Sequence, residues 1–258
     1  MKVAAIQMSS NNDKISNLNK AVELVNNAVI NNAQLILLPE VFNYRGSLNL
    51  SYLKKNISEY APGESLKPFM RIARKNKIHI LAGSIYENSK NNKKIYNTTF
   101  IINDYGEIEC KYRKINLFKA FIDGKKIDES QIFRAGKKPI TCTVKNFKVG
   151  LSICYDLRFP ELYRYYYKKK VDIICIPSSF TKKTGELHWE ILLRARAIEN
   201  HCYIIAPNQY GIDGNKVNCF GNSMIINPLG DIIAKLGGDD ESIAYAEITK
   251  KNNKTIDL

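Results

Sequence analysis

Metal-binding cysteine spacing is missing from this chain. None of its six cysteines (Cys110, Cys142, Cys154, Cys175, Cys202 and Cys219) stands in a CxxC pair, and there are only three histidines, His79, His188 and His201. A structural zinc site is therefore not expected. No uninterrupted apolar run approaches the roughly 20 residues of a membrane span. The opening MKVAAIQMSSNNDK turns polar too soon for a signal peptide. The expected compartment is the cytoplasm, where a disulfide framework is also not expected. Acidic residues are few, 25 against 39 basic ones, which leaves a net charge of +14. Nucleic-acid or anionic-membrane surfaces use such an excess, but in clusters. Here the longest run is Lys168-Lys169-Lys170, with a looser group at Lys250, Lys251 and Lys254. Lysine, asparagine and isoleucine are abundant together, and their shared AT-rich codons explain all three. Neither nucleic acid nor membrane is expected as a partner.

What is present is a chain of 258 residues, 45% of them hydrophobic, enough for one domain (1–258) with a sizeable core. Short apolar runs alternate with amphipathic stretches, the grammar of an α/β protein. Residues 2–8 read as a buried strand and 13–32 as a helix, with Ile15, Leu18, Val22, Val25 and Val29 at spacings of three and four. QLILL (34–38) is a buried strand that runs into Pro39-Glu40. A helix over 65–76, a strand over 78–86 and two strands joined by the turn Asn103–Gly106 follow. The second half repeats the order. It has a strand at 148–154, a helix at 160–169, a strand at 171–176 and a helix at 185–200 with Leu187, Ile191, Ala195 and Ile198 on one face. Strands at 202–207, 223–227, 231–236 and 243–248 complete it. IINDYGEI (101–108) and IINPLGDI (225–232) agree at five of eight positions. Two similar halves are expected within one domain, their first strands central and side by side. Ligands of open α/β sheets sit beyond the carboxyl ends of strands, which puts Glu40 and Cys154 in view. Residues 114–138 lack periodicity, and a loop that long is usually functional.

Cys154 ends an apolar strand and opens a strand-to-helix turn. A helix N-terminus and Arg158 would favour its thiolate; a buried structural thiol, as Cys175 looks to be, is the plain alternative. Glu40, at the end of a buried strand, is costly there unless paired or working, and near a thiol it could carry the proton. The alternative is an exposed loop glutamate. Lys114, just past a strand, could hold an oxyanion, or be one more solvated lysine; Glu129 is equally open. His188 would suit a Cys–His dyad, while His201, after a helix end, reads as structural.

Together the segments LLPE (37–40), KYRKINLF (111–118), GLSICYDLRFPEL (150–162), PSSFTKKTGELHWEILLRARAIEN (177–200) and GNSMIINPLGD (221–231) resemble the nitrilase superfamily of carbon–nitrogen hydrolases, in the family's order and over nearly the whole chain. The resemblance implies a four-layer α-β-β-α sandwich. It implies Glu40 as general base and acid, Cys154 as nucleophile, and Lys114 with the backbone N–H of Tyr155 as oxyanion holders. Glu129 aligns with a second family glutamate that orients the lysine and the leaving group. No metal or cofactor is implied, and His188 loses its part. CYDLRFPEL, FTKKTGELHWE and RARAIEN are most similar to the branch of deaminated glutathione amidases and omega-amidases. That implies a small-molecule amide with a carboxylate on its acyl side, held by Arg158, in a pocket touched by Phe180 and Thr184. Tyr44 and Arg45 would reach the leaving group. Deaminated glutathione is the first expected substrate and 2-oxoglutaramate the second. N-carbamoyl amide hydrolysis, or a non-catalytic basic binding protein on the same scaffold, are the rivals. A homodimer through the helices near 160–169 and 185–200 is also implied. Relatives carry a further tail where this sequence reads Lys254–Leu258, which bears on the stability of that dimer.

Overall fold

The computed structural model describes residues 1–88, 93–122 and 125–250. The first half runs β1 (Lys2–Gln7), α1 (Lys14–Ile30), β2 (Leu35–Leu37), α2 (Lys67–Asn76), β3 (His79–Leu81), β4 (Ile85–Glu87), β5 (Tyr96–Ile102) and β6 (Ile108–Arg113). A hairpin of β7 (Lys119–Ile122) and β8 (Lys125–Asp128) follows. The second half runs β9 (Thr141–Val144), β10 (Phe147–Leu151), α3 (Pro160–Lys168), β11 (Ile173–Cys175), α4 (Lys182–Asn200), β12 (Tyr203–Ala206), β13 (Tyr210–Ile212), β14 (Asn218–Phe220), β15 (Met224–Ile226) and β16 (Ile232–Lys235), before β17 (Ser242–Glu247).

The strands make two main sheets of matching design. One has the order β17-β1-β2-β3-β5, with β4 and β6 both on β5; the other has the order β9-β10-β11-β12-β15-β16. In the first, β1–β2 and β2–β3 are parallel, flanked by antiparallel β17–β1, β3–β5 and β5–β6. In the second, β10–β11 and β11–β12 are parallel, flanked by antiparallel β9–β10, β12–β15 and β15–β16. The repeat expected from the sequence is thus one sheet per half, except that the last strand of the second half, β17, crosses to the edge of the first sheet. The first strands β1 and β10 do not lie side by side; each is inside its own sheet.

Alternation along each strand sorts the side chains into layers. Val3, Ala5, Leu35, Leu37 and Leu81 share a core with Val149, Leu151 and Ile173 of the other sheet. Ala4, Ile6, Ile36, Leu38 and Ile80 instead pack on Ala21, Val25 and Ala28 of α1 and on Phe69 and Ala73 of α2. Helices α3 and α4 cover the second sheet through Tyr163, Tyr166, Trp189, Leu193 and Ala197. The layers are therefore α-β-β-α, as expected. No helix among the described residues is long and apolar enough to cross a membrane.

Three local differences from the sequence reading have plain causes. The strand expected over 78–86 breaks into β3 and β4 at Gly83, whose φ is +37°. A Cβ there would stand 2.1 Å from the Pro39 carbonyl oxygen, so only glycine lets this bend press against the Glu40 loop. Ser84, next in the bend, accepts a hydrogen bond from the Val41 N–H at 2.9 Å. Helix α4 starts three residues early because the Thr181 hydroxyl caps it. Its Leu187–Ile198 face points outward, with Leu187 62%, Ile191 70% and Ile198 46% exposed. Residues 114–138 are not one loop but hold the β7–β8 hairpin. The tail residues Lys254–Leu258 lie outside the described residues.

Candidate active site

Four chain segments that leave strands converge. Glu40 follows β2, Lys114 follows β6, Cys154 follows β10, and Pro177-Ser178 follow β11. The last segment holds two of the others by their backbones. The Cys154 N–H donates to the Pro177 carbonyl at 3.0 Å and the Glu40 N–H to the Ser178 carbonyl at 3.3 Å. Glu40 belongs to one sheet and Cys154 to the other, so consecutive carbonyls set their separation. Gln209 Nε2 adds a bond to the Glu40 carbonyl at 3.0 Å.

Lys114 is buried, 1% exposed, and its Nζ lies 2.9 Å from Glu40 Oε1 and 3.0 Å from Glu129 Oε2. Asn97 on β5 donates its side-chain amide to the same Glu40 oxygen at 2.9 Å, and its carbonyl accepts the Lys114 N–H at 2.9 Å. Glu129 closes the β7–β8 hairpin: its Oε2 accepts the Phe118 N–H at 2.7 Å, and its own N–H donates to the Phe118 carbonyl. Burial pushes the Glu40 pKa up, but Lys114 and then Arg45 pull harder, and the net direction is down. Burial works against the Lys114 charge too; Glu129, Glu40 and Cys154 outweigh it and hold the ammonium well above its usual range.

Cys154 begins a short 3-10 turn (Cys154–Arg158) with φ +47°, a conformation L-residues seldom adopt. The turn resembles the strained elbow that presents a nucleophile at a strand end. Its thiol is held well above its usual pKa, by burial first and the Glu40 carboxylate second, with Lys114 opposing. This runs against the expected thiolate: burial and the neighbouring carboxylate both favour the protonated thiol. Arg158 does not bring the thiolate about. Its guanidinium N–H groups meet His188 Nδ1 at 3.3 Å and sit over the Phe180 ring.

These groups border a cavity of about 320 Å³. Glu40, Lys114, Glu129 and Cys154 lie on its walls with Tyr155, Arg158, Phe180, Thr184 and Arg45. Arg45 is tied to Asp213 at 2.6 Å. Among the described residues Arg158 has no carboxylate partner, so it is the cavity's uncompensated cation. Tyr44 does not line the cavity, contrary to expectation. It is 2% exposed, its ring among Leu53, Ile57, Tyr86 and Phe133, while its neighbour Arg45 lines the cavity.

Over residues 2–255 the chain matches the carbon-nitrogen hydrolase family. The chain belongs to the carbon-nitrogen hydrolase family. This hydrolase is 38% identical to the deaminated glutathione amidase of Dictyostelium discoideum, over 94% of this chain and 85% of that one. It is 34% identical to omega-amidase NIT2 of Homo sapiens, over 97% and 89%. The crystal structure of Saccharomyces cerevisiae Nit3, a member of branch 10 of the nitrilase superfamily, superposes with a TM-score of 0.85 at 33% identity, covering 95% of this chain and 89% of that one. The protein is accordingly a cysteine amidohydrolase of the nitrilase superfamily.

Two buried groups of this hydrolase escaped the sequence reading. Asn97 is the link between Glu40 and Lys114 described above. Asp156 accepts four hydrogen bonds at 2.8–2.9 Å, from the Tyr112 hydroxyl, the Asn116 N–H and side-chain amide, and the Ile153 N–H. It ties the segment after Lys114 to the Cys154 turn. Its signal was the acid inside CYDLRFPEL, two residues from the cysteine. Asn97 had none, since its partners stand 57 and 17 residues away.

The electrostatics set a pH dependence. Taking the thiol proton would require Glu40 to be ionised, and its pKa is depressed. Activity is therefore present above the ordinary glutamate range and lost only as pH falls through the lowered value. In a kcat/KM profile, with circular dichroism confirming the fold at each pH, the acid limb is expected below pH 4.5, the unperturbed glutamate value. A limb at or above that value would contradict the ion pair.

Proposed function

We propose that this amidohydrolase cleaves carboxylate-bearing amides through a Cys154 thioester, with deaminated glutathione as substrate and 2-oxoglutarate and Cys-Gly as products. The observation that carries the reading is Cys154 on the wall of one cavity with the buried Glu40–Lys114–Glu129 ion pairs, a cavity whose uncompensated cation is Arg158. Glu40 takes the thiol proton as sulfur bonds to the amide carbon. The carbonyl oxygen becomes an oxyanion between Lys114 Nζ and the Tyr155 N–H, which belongs to the first turn of a helix and has no acceptor within it. Glu40 then returns the proton to the departing nitrogen, the C–N bond breaks, and the thioester remains. A water deprotonated by Glu40 attacks the thioester, and the thiolate leaves and recovers its proton. Glu129 holds Lys114 in place. Arg158 receives the acyl-side carboxylate through charge-assisted bonds. Phe180 and Thr184 shape the acyl end, and Arg45 faces the leaving group.

2-Oxoglutaramate has the same 2-oxoglutaryl acyl group and a smaller leaving group, ammonia. Relatives named for each activity are similar to this chain. The test is 2-oxoglutarate release from both compounds, followed with a coupled dehydrogenase. Preference for deaminated glutathione is expected. Preference for 2-oxoglutaramate would make the enzyme an omega-amidase, and silence on both would remove the substrate class.

A homodimer is part of this reading, supported by the outward apolar stripe Leu187, Ile191 and Ile198 on α4 beside the half-exposed Tyr165 and Tyr167 of α3. Light scattering after size exclusion is expected to give twice the 29.4 kDa chain mass. Ile191→Asp is expected to shift it to one chain mass, because a buried unpaired carboxylate opposes the contact. A monomeric native chain would end this part of the reading.

A further inference from the structure

One wall of the catalytic cavity is a loop with no part in the Glu40–Lys114–Cys154 chemistry. Residues 213–217 join β13 to β14, and Asn215 and Val217 line the cavity beside Arg45 and Leu48. The loop is folded around the Asp213 carboxylate, a residue only 6% exposed. Asp213 Oδ1 accepts the Asn215 N–H at 2.8 Å and the Val217 N–H at 2.9 Å. Its own N–H donates to the Val217 carbonyl at 3.0 Å, and its carbonyl accepts the Lys216 N–H at 2.9 Å. The second carboxylate oxygen, Oδ2, accepts from Arg45 Nε at 3.0 Å and from Arg45 Nη2 at 2.6 Å. One side chain thus fastens the loop to itself with one oxygen and to Arg45 with the other.

The backbones meet as closely. A Cβ on residue 214 would stand 2.2 Å from the Arg45 carbonyl oxygen, so glycine lets the loop lie on that residue. Arg45 is also pinned through its N–H, which donates to the Asn11 carbonyl at 2.8 Å. A guanidinium has five N–H donors. Asp213 takes two of them, and Nη1 has no protein acceptor among the described residues. Because Asp213 balances the charge, Arg45 offers the cavity oriented donors without adding a second net cation to Arg158.

The proton carrier sets which part of a substrate meets this wall. Arg45 follows Glu40 by five residues; burial raises the Glu40 pKa, and after Lys114 it is Arg45 that brings it down. Glu40 returns the proton to the departing nitrogen, so the leaving group departs on the side of Arg45 and the loop. We propose that Arg45 and the loop clasped by Asp213 form a subsite for an amino-acid or peptide leaving group, a step that rests on the thioester reading. Asp213 is a positioning residue in it: it acts through Arg45 and the loop backbone. Ammonia is too small to reach these groups. An extended dipeptide spans about 7 Å, and its carbonyl or terminal carboxylate can accept from the Arg45 N–H groups.

The test compares the native chain with Asp213→Asn and Asn215→Ala. Asparagine keeps an acceptor for the loop N–H groups but neither balances Arg45 nor accepts from it with a second oxygen. Asn215→Ala trims the wall and leaves the Asp213 bonds in place, since they use only the backbone N–H of that residue; it serves if the first variant fails to fold. Two quantities are measured: kcat and KM for deaminated glutathione and 2-oxoglutaramate, and inhibition of 2-oxoglutaramate hydrolysis by Cys-Gly. In Asp213→Asn, KM for deaminated glutathione and Ki for Cys-Gly are expected to rise roughly tenfold or more, the scale of a lost charge-assisted bond. The kcat/KM for 2-oxoglutaramate is expected to stay within roughly twofold, a split that a general structural fault would not produce. Asn215→Ala is expected to raise Ki for Cys-Gly by about threefold. Equal losses on both substrates, or unchanged Cys-Gly inhibition in both variants, would overturn the subsite. A native chain that prefers 2-oxoglutaramate would overturn the choice of substrate alone, and the Cys-Gly inhibition would then decide the subsite.

Discussion

Cys154→Ala is expected to lower turnover by about four orders of magnitude or more, the scale seen when a covalent nucleophile is removed from a triad. The fold is expected to survive. The thiol borders an existing cavity, so its loss widens that space and opens no new hole in the core. Alanine tolerates φ +47° no better and no worse than cysteine, so the strain of the turn is unchanged. The turn keeps its Cys154 N–H bond to the Pro177 carbonyl and its Asp156 anchor, which do not involve the sulfur. A loss of turnover with the melting temperature retained is the expected pair of results. Retained turnover would remove the thioester.

Lys114→Met is expected to damage stability and chemistry together. It leaves Glu40, 3% exposed, and Glu129 without their shared cation. Removing one partner of a buried ion pair typically costs about 3–5 kcal/mol, read as a lower denaturation midpoint. The chemistry suffers twice. An oxyanion donor is lost, which alone costs about 10²–10³ in kcat. Burial, no longer opposed by the ammonium, also raises the Glu40 pKa, so the base takes up a proton towards neutral pH. The acid limb of the activity profile is therefore expected to move up in pH. Adding Glu129→Gln removes one stranded carboxylate and is expected to restore part of the stability but not the turnover. An unchanged denaturation midpoint in Lys114→Met would contradict the ion-pair network.

Much of this site is visible in the amino-acid order because each working residue closes a short local pattern. Leu35–Leu37 is an apolar strand that ends before Pro39-Glu40, and Phe147–Leu151 is one that ends before Cys154. The strands themselves are readable for the same reason. What is not readable depends on contacts between distant segments. Two faces of α4 carry apolar residues at helical spacing, and only packing shows that Trp189, Leu193 and Ala197 go inward while Leu187, Ile191 and Ile198 go out. Tyr44 and Arg45 are neighbours, and the fold decides which one enters the cavity. The raised pKa of the Cys154 thiol follows from its burial first and from the Glu40 carboxylate second, two residues that the Pro177 and Ser178 carbonyls hold across two sheets.

The most direct test of the account is the mass of the protein caught during turnover. Deaminated glutathione mixed with enzyme and quenched in acid is expected to leave a 2-oxoglutaryl group on the peptide that contains Cys154. The adduct should be absent in Cys154→Ala and discharged by added hydroxylamine. Turnover with no adduct on that peptide, or an adduct on another cysteine such as Cys219, would contradict it.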